Sequence, residues 1–533
     1  MSAATGSSSK GLWIGFALCL LLLRAPALVQ PPGGDQSLYT YSGQRLLEGG
    51  VPYEAAWDQK PPGIFVVYAL LWSVWPHPSL VALADLVAAG IVASLLATIG
   101  CRLFGVTAGG LAACVFLLFG HPSLTRLSGV YVRGQCETFI GLAVAAGIVL
   151  ILRPGRGRWA LAFAGVMLGL AVWLKYNALA YALPLAIGVA AWREPSRTRR
   201  QIIVDLGCVA AGAALVTAVA LTYFAAHGAL RDLRLATIDY NLRYSSETYA
   251  GPFPALTYLV TLPVTRARVD MLWFLGGLGA LLTLRRRFGL PATLTIAWLV
   301  AAMLSIAVNG ARDLPQYFVQ AAPPLALAAG AGLAGLSTRP VWLRAAVAVL
   351  VAAGLWRVGD EPAGVAGCRL AGLPQLAGNI RFDVDRALGR VDDAAYLSRF
   401  ASGKYDAAAA DEMTRYVRST TAPADSVLVF GFAGGSVGAW SERRSPTRFF
   451  WSRPIMIDFA AGQPGYGPDG LLRDLRADPP ALVILQKRDW SVGEALPDSA
   501  EFFLANADLR GWLEKGYTAD RETSMFSVWR RRS

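Results

Sequence analysis

Long apolar runs with almost no charge recur through the first two-thirds of this chain, and they restrict its possible folds more than any other feature. Residues 11–29, 79–100, 202–226, 289–307 and 341–357 are each long enough, or nearly so, to cross a hydrocarbon core of about 30 Å. Only 16% of the residues are charged, against about a quarter in soluble domains. The later runs are rich in small residues, as in AAGAALVTAVAL and LALAAGAGLAGL, which lets helices approach closely in lipid.

A net charge of +13 would suit a nucleic-acid binder, but the arginines cluster in short loops between apolar runs. Arg153, Arg156 and Arg158 form one group; Arg193, Arg197, Arg199 and Arg200 a second; Arg285, Arg286 and Arg287 a third. Such clusters mark cytoplasmic loops, so topology accounts for the charge and no nucleic-acid partner is expected. The six cysteines show no CxxC or paired spacing, which argues against a disulfide framework and a thiolate metal site. The first run follows Lys10 but lacks a clear small-x-small cleavage site, and it is read as a retained span.

Alternating the loops by charge predicts a polytopic α-helical membrane protein of about eleven spans. They are 11–29, 79–100, 106–120, 137–152, 159–174, 176–192, 202–226, 269–284, 289–307, 317–335 and 341–357. The stretch 62–76, bracketed by Pro61-Pro62 and Pro76-His77-Pro78, is read as a juxtamembrane helix, because a full crossing would put the RPGRGR loop outside. Segments 30–61, 121–136, 227–268 and 308–316 then face outward. Residues 1–358 form the membrane domain, and 359–533, which are polar, form an extracytoplasmic α/β domain. Strand-like runs at 426–432, 481–485 and 526–530 alternate there with helical patterns at 408–419 and 499–515. No phosphate-cradling glycine motif and no internal repeat are present.

Chemistry concentrates in the first outer loop, which runs from Asp35 through Tyr39, Tyr41, Gly43, Arg45, Pro52 and Tyr53 to Asp58-Gln59-Lys60-Pro61-Pro62-Gly63. Asp35 is suited to deprotonate an acceptor hydroxyl, with Glu137 or Asp58 as the substitute. Lys60 and Arg45 are suited to hold a phosphate at the membrane surface.

The order D-x-x-x-Y-x-Y-x-G-x-x-L-L-x-G-x-x-P-Y followed by D-x-K-P-P-G resembles the first periplasmic loop of bacterial family-39-like glycosyltransferases. These are relatives of the protein O-mannosyltransferases and of the lipid A aminoarabinose transferase. Glu137, in Arg133-Gly-Gln-Cys-Glu137, stands where that family has a second acidic residue. Arg312 and the run Gln316-Tyr317-Phe318-Val-Gln320-Ala-Ala-Pro323-Pro324 stand where it has an arginine and an aromatic segment. Lys175 matches its mid-span lysine.

The resemblance implies the glycosyltransferase C fold, with the active site on the outer face of the inner membrane. It implies a sugar donor carried on polyprenyl phosphate and an envelope glycolipid, polysaccharide or protein as acceptor. Asp35 and Glu137 become the catalytic carboxylates; Lys60, Arg312, Tyr317, Lys175 and Arg45 become donor-phosphate ligands. A divalent metal ion on Asp35 and Glu137 would be the one cofactor.

Two positions depart from the pattern. Gln36 replaces a second carboxylate beside Asp35, which would leave a metal weakly held. Gln316 replaces a histidine before Tyr317. The residues also admit plainer roles. Asp35 suits the N-cap of a helix starting at Gln36, Lys60 an interfacial anchor and Tyr317 the aromatic belt. Glu137 could pair with Arg133, and Arg24 is expected to snorkel to the surface. His77, His121 and His227 lack ligand spacing. Competing functions are a lipid or polysaccharide transporter, disfavoured by the absence of repeats, and a catalytically inactive envelope scaffold, favoured by Gln36.

Overall fold

The computed structural model describes residues 20–191, 198–249, 252–284, 289–356, 372–491 and 496–532. The start of the 11–29 run, the clusters at 192–197 and 285–288, and the 358/359 boundary lie outside these residues. The chain forms two compact units. One comprises Met1–Gln30, Val81–Tyr223 and Arg243–Ala387; the other comprises Pro31–Leu80, Phe224–Leu242 and Leu388–Ser533.

The first unit is a bundle of apolar helices. Among the described residues, four helical stretches are long and apolar enough to cross a membrane: Leu80–Phe104, Arg199–Ala226, Leu290–Val308 and Pro315–Ala334. The other apolar helices, Cys136–Ile151 and Arg158–Leu174 among them, have 10–17 residues, so helix length by itself marks four crossings among the described residues. Several of these helices are broken where the sequence demands it. Tyr176–Tyr181 is a 3-10 turn before Ala182–Ala191, and Pro315–Ala321 is another before Ala322–Ala334, whose first turn carries Pro323 and Pro324. Proline is tolerated in that first turn, where N–H groups lack intrahelical partners anyway.

The small residues lie where helices touch. A Cβ built on Gly165 would fall 1.9 Å from the Val209 carbonyl oxygen, and one on Gly212 would fall 2.0 Å from that of Ala162. The helices Arg158–Leu174 and Arg199–Ala226 therefore meet backbone to backbone. Met271–Leu284 packs against Ala322–Ala334, where Gly279 faces Gly332.

In the second unit, the outer-loop segment folds as the helix Gly34–Leu47, which is almost wholly buried. It packs against the helix Gly63–Val74 and against Gly434–Ser441. Gly63–Val74 has 12 residues, about 18 Å of helix, too short to cross upright.

The strands are β1 (Ala401–Ser402), β2 (Tyr405–Asp406), β3 (Val427–Phe430), β4 (Leu482–Gln486), β5 (Tyr517–Glu522) and β6 (Phe526–Arg531). The main sheet has the order β3-β4-β6-β5, with β3 and β4 parallel and the other neighbours antiparallel. The parallel strands are buried throughout, as their unbroken apolar runs VLVF and LVIL require. Met413 and Val417 of the helix Ala407–Thr420 join Val427, Val429, Ile484 and Val528 in one core. The pattern at 499–515 resolves into two helices, Ser499–Ala505 and Ala507–Gly516, because Asn506 caps the second through the N–H groups of Asp508 and Leu509.

Candidate functional site

Three of the residues singled out from sequence meet in the first unit. Glu137 lies in the first turn of Cys136–Ile151, where a negative charge opposes the positive end of the helix. Lys175 is extended (φ −156°, ψ 129°) between the helix Arg158–Leu174 and the Tyr176–Tyr181 turn. Tyr317 lies on the Pro315–Ala321 turn. The Lys175 Nζ donates to Glu137 Oε1 at 2.6 Å and sits 4.4 Å from the centroid of the Tyr317 ring. Glu137 is 1% exposed and Lys175 8%.

A polar scaffold fixes this cluster. Gln320 donates to the Tyr317 carbonyl (3.0 Å) and accepts from Tyr181 (3.0 Å) and Ser305 (2.7 Å). Asn309 and Asn177 both donate to the Ser305 carbonyl. The Lys175 ammonium, just ahead of one 3-10 turn, thus sits between the Glu137 carboxylate and the Tyr317 ring carried on the other.

Glu137 and Thr138 also line a cavity between the helices. Its walls are mainly apolar, with Val92, Phe116, Trp273 and Phe318 among them, and the ion pairs Arg24–Asp85 and Arg266–Asp270 border it. Arg266 stacks on Phe318 at 4.0 Å and donates to Asp270, while its Nε and Nη1 have no protein acceptor. The cavity therefore joins hydrocarbon walls to unmade cationic donors, a combination suited to an anionic amphiphile.

Two plainer readings are overturned here. Arg24 does not snorkel: it is 3% exposed and donates to Asp85 at 2.7 Å and to the Gly120 carbonyl. Asp85, on the neighbouring helix, supplies the countercharge that makes burial tolerable. Glu137 does not pair with Arg133, which lies 3.5 Å from Asp85 and donates to Gln30 and Ser123. Arg312 has other partners in this structure: it pairs with Glu247 and stacks on Tyr244 at 3.7 Å. His121 accepts from the Ser123 N–H and contacts the Leu23 carbonyl through its other ring nitrogen. Burial, with Arg24 and Arg133 nearby, holds it well below the usual histidine range, so it stays neutral.

The second unit holds Asp35, Arg45, Asp58 and Lys60. Asp35 is half-buried in the first turn of Gly34–Leu47, two positions past the N-cap, which is Gly33. Pro31-Pro32 favour an extended approach to that cap. Arg45 is buried, donates to Glu48 at the C-cap of its own helix at 2.5 Å and lies 5.1 Å from the Tyr41 ring. Lys60 is half-buried, and its carbonyl accepts from the Tyr53 hydroxyl at 2.9 Å.

Asp58 is the residue whose environment the sequence conceals. It is 1% exposed, its Oδ1 accepts from the Lys60 backbone N–H at 3.0 Å, and its Oδ2 is buried without a partner. Burial, partly offset by the Lys60 ammonium and assisted by nearby Asp35, pushes its carboxyl up to about 6.

Among the described residues, no group of three or more His, Cys, Asp or Glu side chains is arranged to hold a metal ion. The Glu137 carboxylate is already neutralised by Lys175, so it does not fit the role of ligand to a divalent cation.

No family model matches the chain, and no curated protein matches it. Among solved structures, it is similar to ArnT from Cupriavidus metallidurans bound to undecaprenyl phosphate, with a TM-score of 0.60 and 15% identity. The match covers 99% of this chain and 98% of that one. The apo state of the same protein matches with a TM-score of 0.58 at 15% identity over 98% of both chains. A weaker likeness, TM-score 0.47 at 13% identity, is to the archaeal oligosaccharyltransferase AglB from Archaeoglobus fulgidus in complex with an inhibitory peptide and a dolichol-phosphate, covering 98% of this chain and 74% of that one. The fold is thus the glycosyltransferase C fold of ArnT, as the outer-loop motifs led us to expect.

Proposed function

We propose that this chain is an integral-membrane glycosyltransferase that moves a sugar from a polyprenyl-phosphate carrier to a glycolipid, polysaccharide or protein of the cell envelope. The observation that carries the reading is the buried Glu137–Lys175–Tyr317 cluster, whose Glu137 also lines an apolar cavity. An ion pair of this kind inside a helical membrane bundle is costly to bury and marks a substrate path by default. The fold, shared over nearly the whole chain with a structure that holds undecaprenyl phosphate, supports the same class of donor.

In this reading the shorter apolar helices complete about eleven crossings, and the site faces the outer side of the inner membrane. The bond from the sugar C1 to the phosphate oxygen breaks as the acceptor oxygen bonds to C1 from the opposite face. Asp35 takes the acceptor's proton. Charge grows on the departing lipid phosphate, where Lys60, Arg312 and Lys175 stabilise it and Tyr317 orients it. Arg45, tied to Glu48 and Tyr41, holds the Asp35 helix and adds positive potential. Glu137 keeps Lys175 in place and orients the acceptor.

The reading routes no step through a metal ion. Transfer is expected to survive a chelator with less than about a twofold change, since Glu137 is committed to Lys175. Loss of activity on chelation, restored by a divalent ion, would contradict that part of the mechanism. The reading itself is tested with membranes holding the protein and two sets of labelled donors, polyprenyl-phosphate sugars and nucleotide sugars. Label should reach envelope material from a lipid-linked donor and from none of the nucleotide sugars. Direct transfer from a nucleotide sugar in carrier-depleted membranes would sink it.

A further inference from the structure

The turn that presents Lys60 is braced more heavily than a membrane-surface anchor needs. Tyr53 is fully buried at φ 71°, a left-handed conformation costly for an aromatic residue, and its hydroxyl grips the Lys60 carbonyl at 2.9 Å. Asn241 donates to the Gln59 carbonyl at 2.7 Å. With its amide turned to satisfy both neighbours, the Gln59 side chain donates to Asp58 Oδ1 at 3.1 Å and accepts from Lys60 Nζ at 3.2 Å. Asp58 Oδ1 thus receives the Lys60 N–H and the Gln59 amide, whereas Oδ2 is sealed in with no donor.

A carboxylate in this setting is held charged chiefly by the neighbouring ammonium. The charged groups acting on Asp58 are Lys60 on its own turn and Asp35 on the Gly34–Leu47 helix; Gln59, Tyr53 and Asn241 around the turn are neutral. When an anionic phosphate engages the ammonium, Asp58 loses its countercharge and gains a second negative neighbour. Oδ2 is then the free position for a proton.

We infer that Asp58 is the positioning and charge-balancing residue of Lys60: Oδ1 fixes the lysine's backbone, and Oδ2 takes a proton from solvent when a phosphate engages the ammonium. The inference rests on the reading of Lys60 as a donor-phosphate ligand. A carboxyl raised to about 6 lies close enough to neutrality for phosphate to complete the protonation. The sign follows from linkage: phosphate binding favours neutral Asp58, so binding costs proton uptake above about pH 6 and becomes easier as pH falls through that value.

The test is undecaprenyl phosphate binding to the full-length protein in nanodiscs, comparing wild type, Asp58→Asn and Asp58→Ala. Asparagine keeps the Oδ1 acceptor and removes the charge, so at about pH 7.5 it should bind about tenfold more tightly than wild type, and at about pH 5 the two should agree. Titration of the ligand's own phosphate is common to both and cancels in the ratio. Alanine removes the brace and should bind more weakly than wild type at both pH values. Infrared difference spectra of wild type at about pH 7 should gain the band of a protonated carboxylic acid on adding undecaprenyl phosphate, a readout that needs no variant. A ratio flat with pH, or no such band, overturns the inference and leaves the donor reading standing. Wild type that binds no undecaprenyl phosphate at any pH overturns both.

Discussion

Lys175→Met is expected to lower sugar transfer by about a hundredfold or more and to destabilise the protein by roughly 3–5 kcal/mol. The two effects have separate causes. Lys175 is the only protein cation shown on the Glu137 carboxylate among the described residues, at 2.6 Å, and Glu137 is 1% exposed. Without the ammonium, a buried charge is left uncompensated, and that accounts for the stability loss. Adding Glu137→Gln removes the orphaned charge, so the double variant should recover most of the stability in a thermal or denaturant series. It should not recover transfer, because the cation that stabilises the leaving phosphate is still missing. The pair thus forms a double-mutant cycle in which stability couples strongly and activity does not. Recovery of transfer along with stability would make the pair a structural tie and remove Lys175 from the mechanism.

Gly434→Val is the second large effect. A Cβ at this position would lie 1.7 Å from the Phe450 carbonyl oxygen and 2.9 Å from that of Val429, and backbone cannot yield as a flexible side chain does. Overpacking of this severity is expected to cost at least about 3 kcal/mol. The damage should reach function because Gly434–Ser441 is the helix against which the Asp35 helix packs. The next residue, Gly435, approaches the Leu38 backbone nitrogen, Gln44 donates to the Ala439 carbonyl at 3.0 Å, and Trp440 donates to Ser37. Gly511→Ala serves as the control. Its Cβ would meet nothing within 4 Å and it lies inside the helix Ala507–Gly516, so it should leave transfer unchanged and add about 0.5–1 kcal/mol. Limited proteolysis and transfer assays on the two variants check both halves. Full activity in Gly434→Val would mean that the close packing seen here is not needed to hold the Asp35 helix.

How far the sequence could be read followed physical lines. Apolar runs announced the bundle helices because lipid demands apolar side chains along a whole helix, and β3 and β4 were visible as runs buried on both faces. Strand β5, YTADRE, escaped because its residues after Tyr517 are largely exposed and carry no alternation. The breaks within helices were harder to read than the helices, since the apolar runs continue unbroken through the 3-10 turns at Tyr176–Tyr181 and Pro315–Ala321.

The site was legible to the extent that the loop and span motifs named its members. Spacing along the chain held no sign that Glu137 would choose Lys175, 38 positions away, over Arg133, four away. Nor could it show that Asp85 would hold both Arg24 and Arg133. Partner choice is settled by which helix faces meet, and adjacent sequence does not encode that. Asp58 was visible as a residue of the D-x-K-P-P-G pattern, but its sealed Oδ2 depends on the folded loop around it.

The most direct test of the account is transfer from a labelled polyprenyl-phosphate sugar in membranes carrying wild type, Asp35→Asn or Asp35→Glu at equal protein level. Wild type should move label to envelope acceptors. Asparagine, which cannot accept the acceptor's proton, should lower the rate by about a hundredfold or more while donor binding persists, and glutamate should restore part of it. Transfer by Asp35→Asn at the wild-type rate would contradict the assignment of Asp35 as the base.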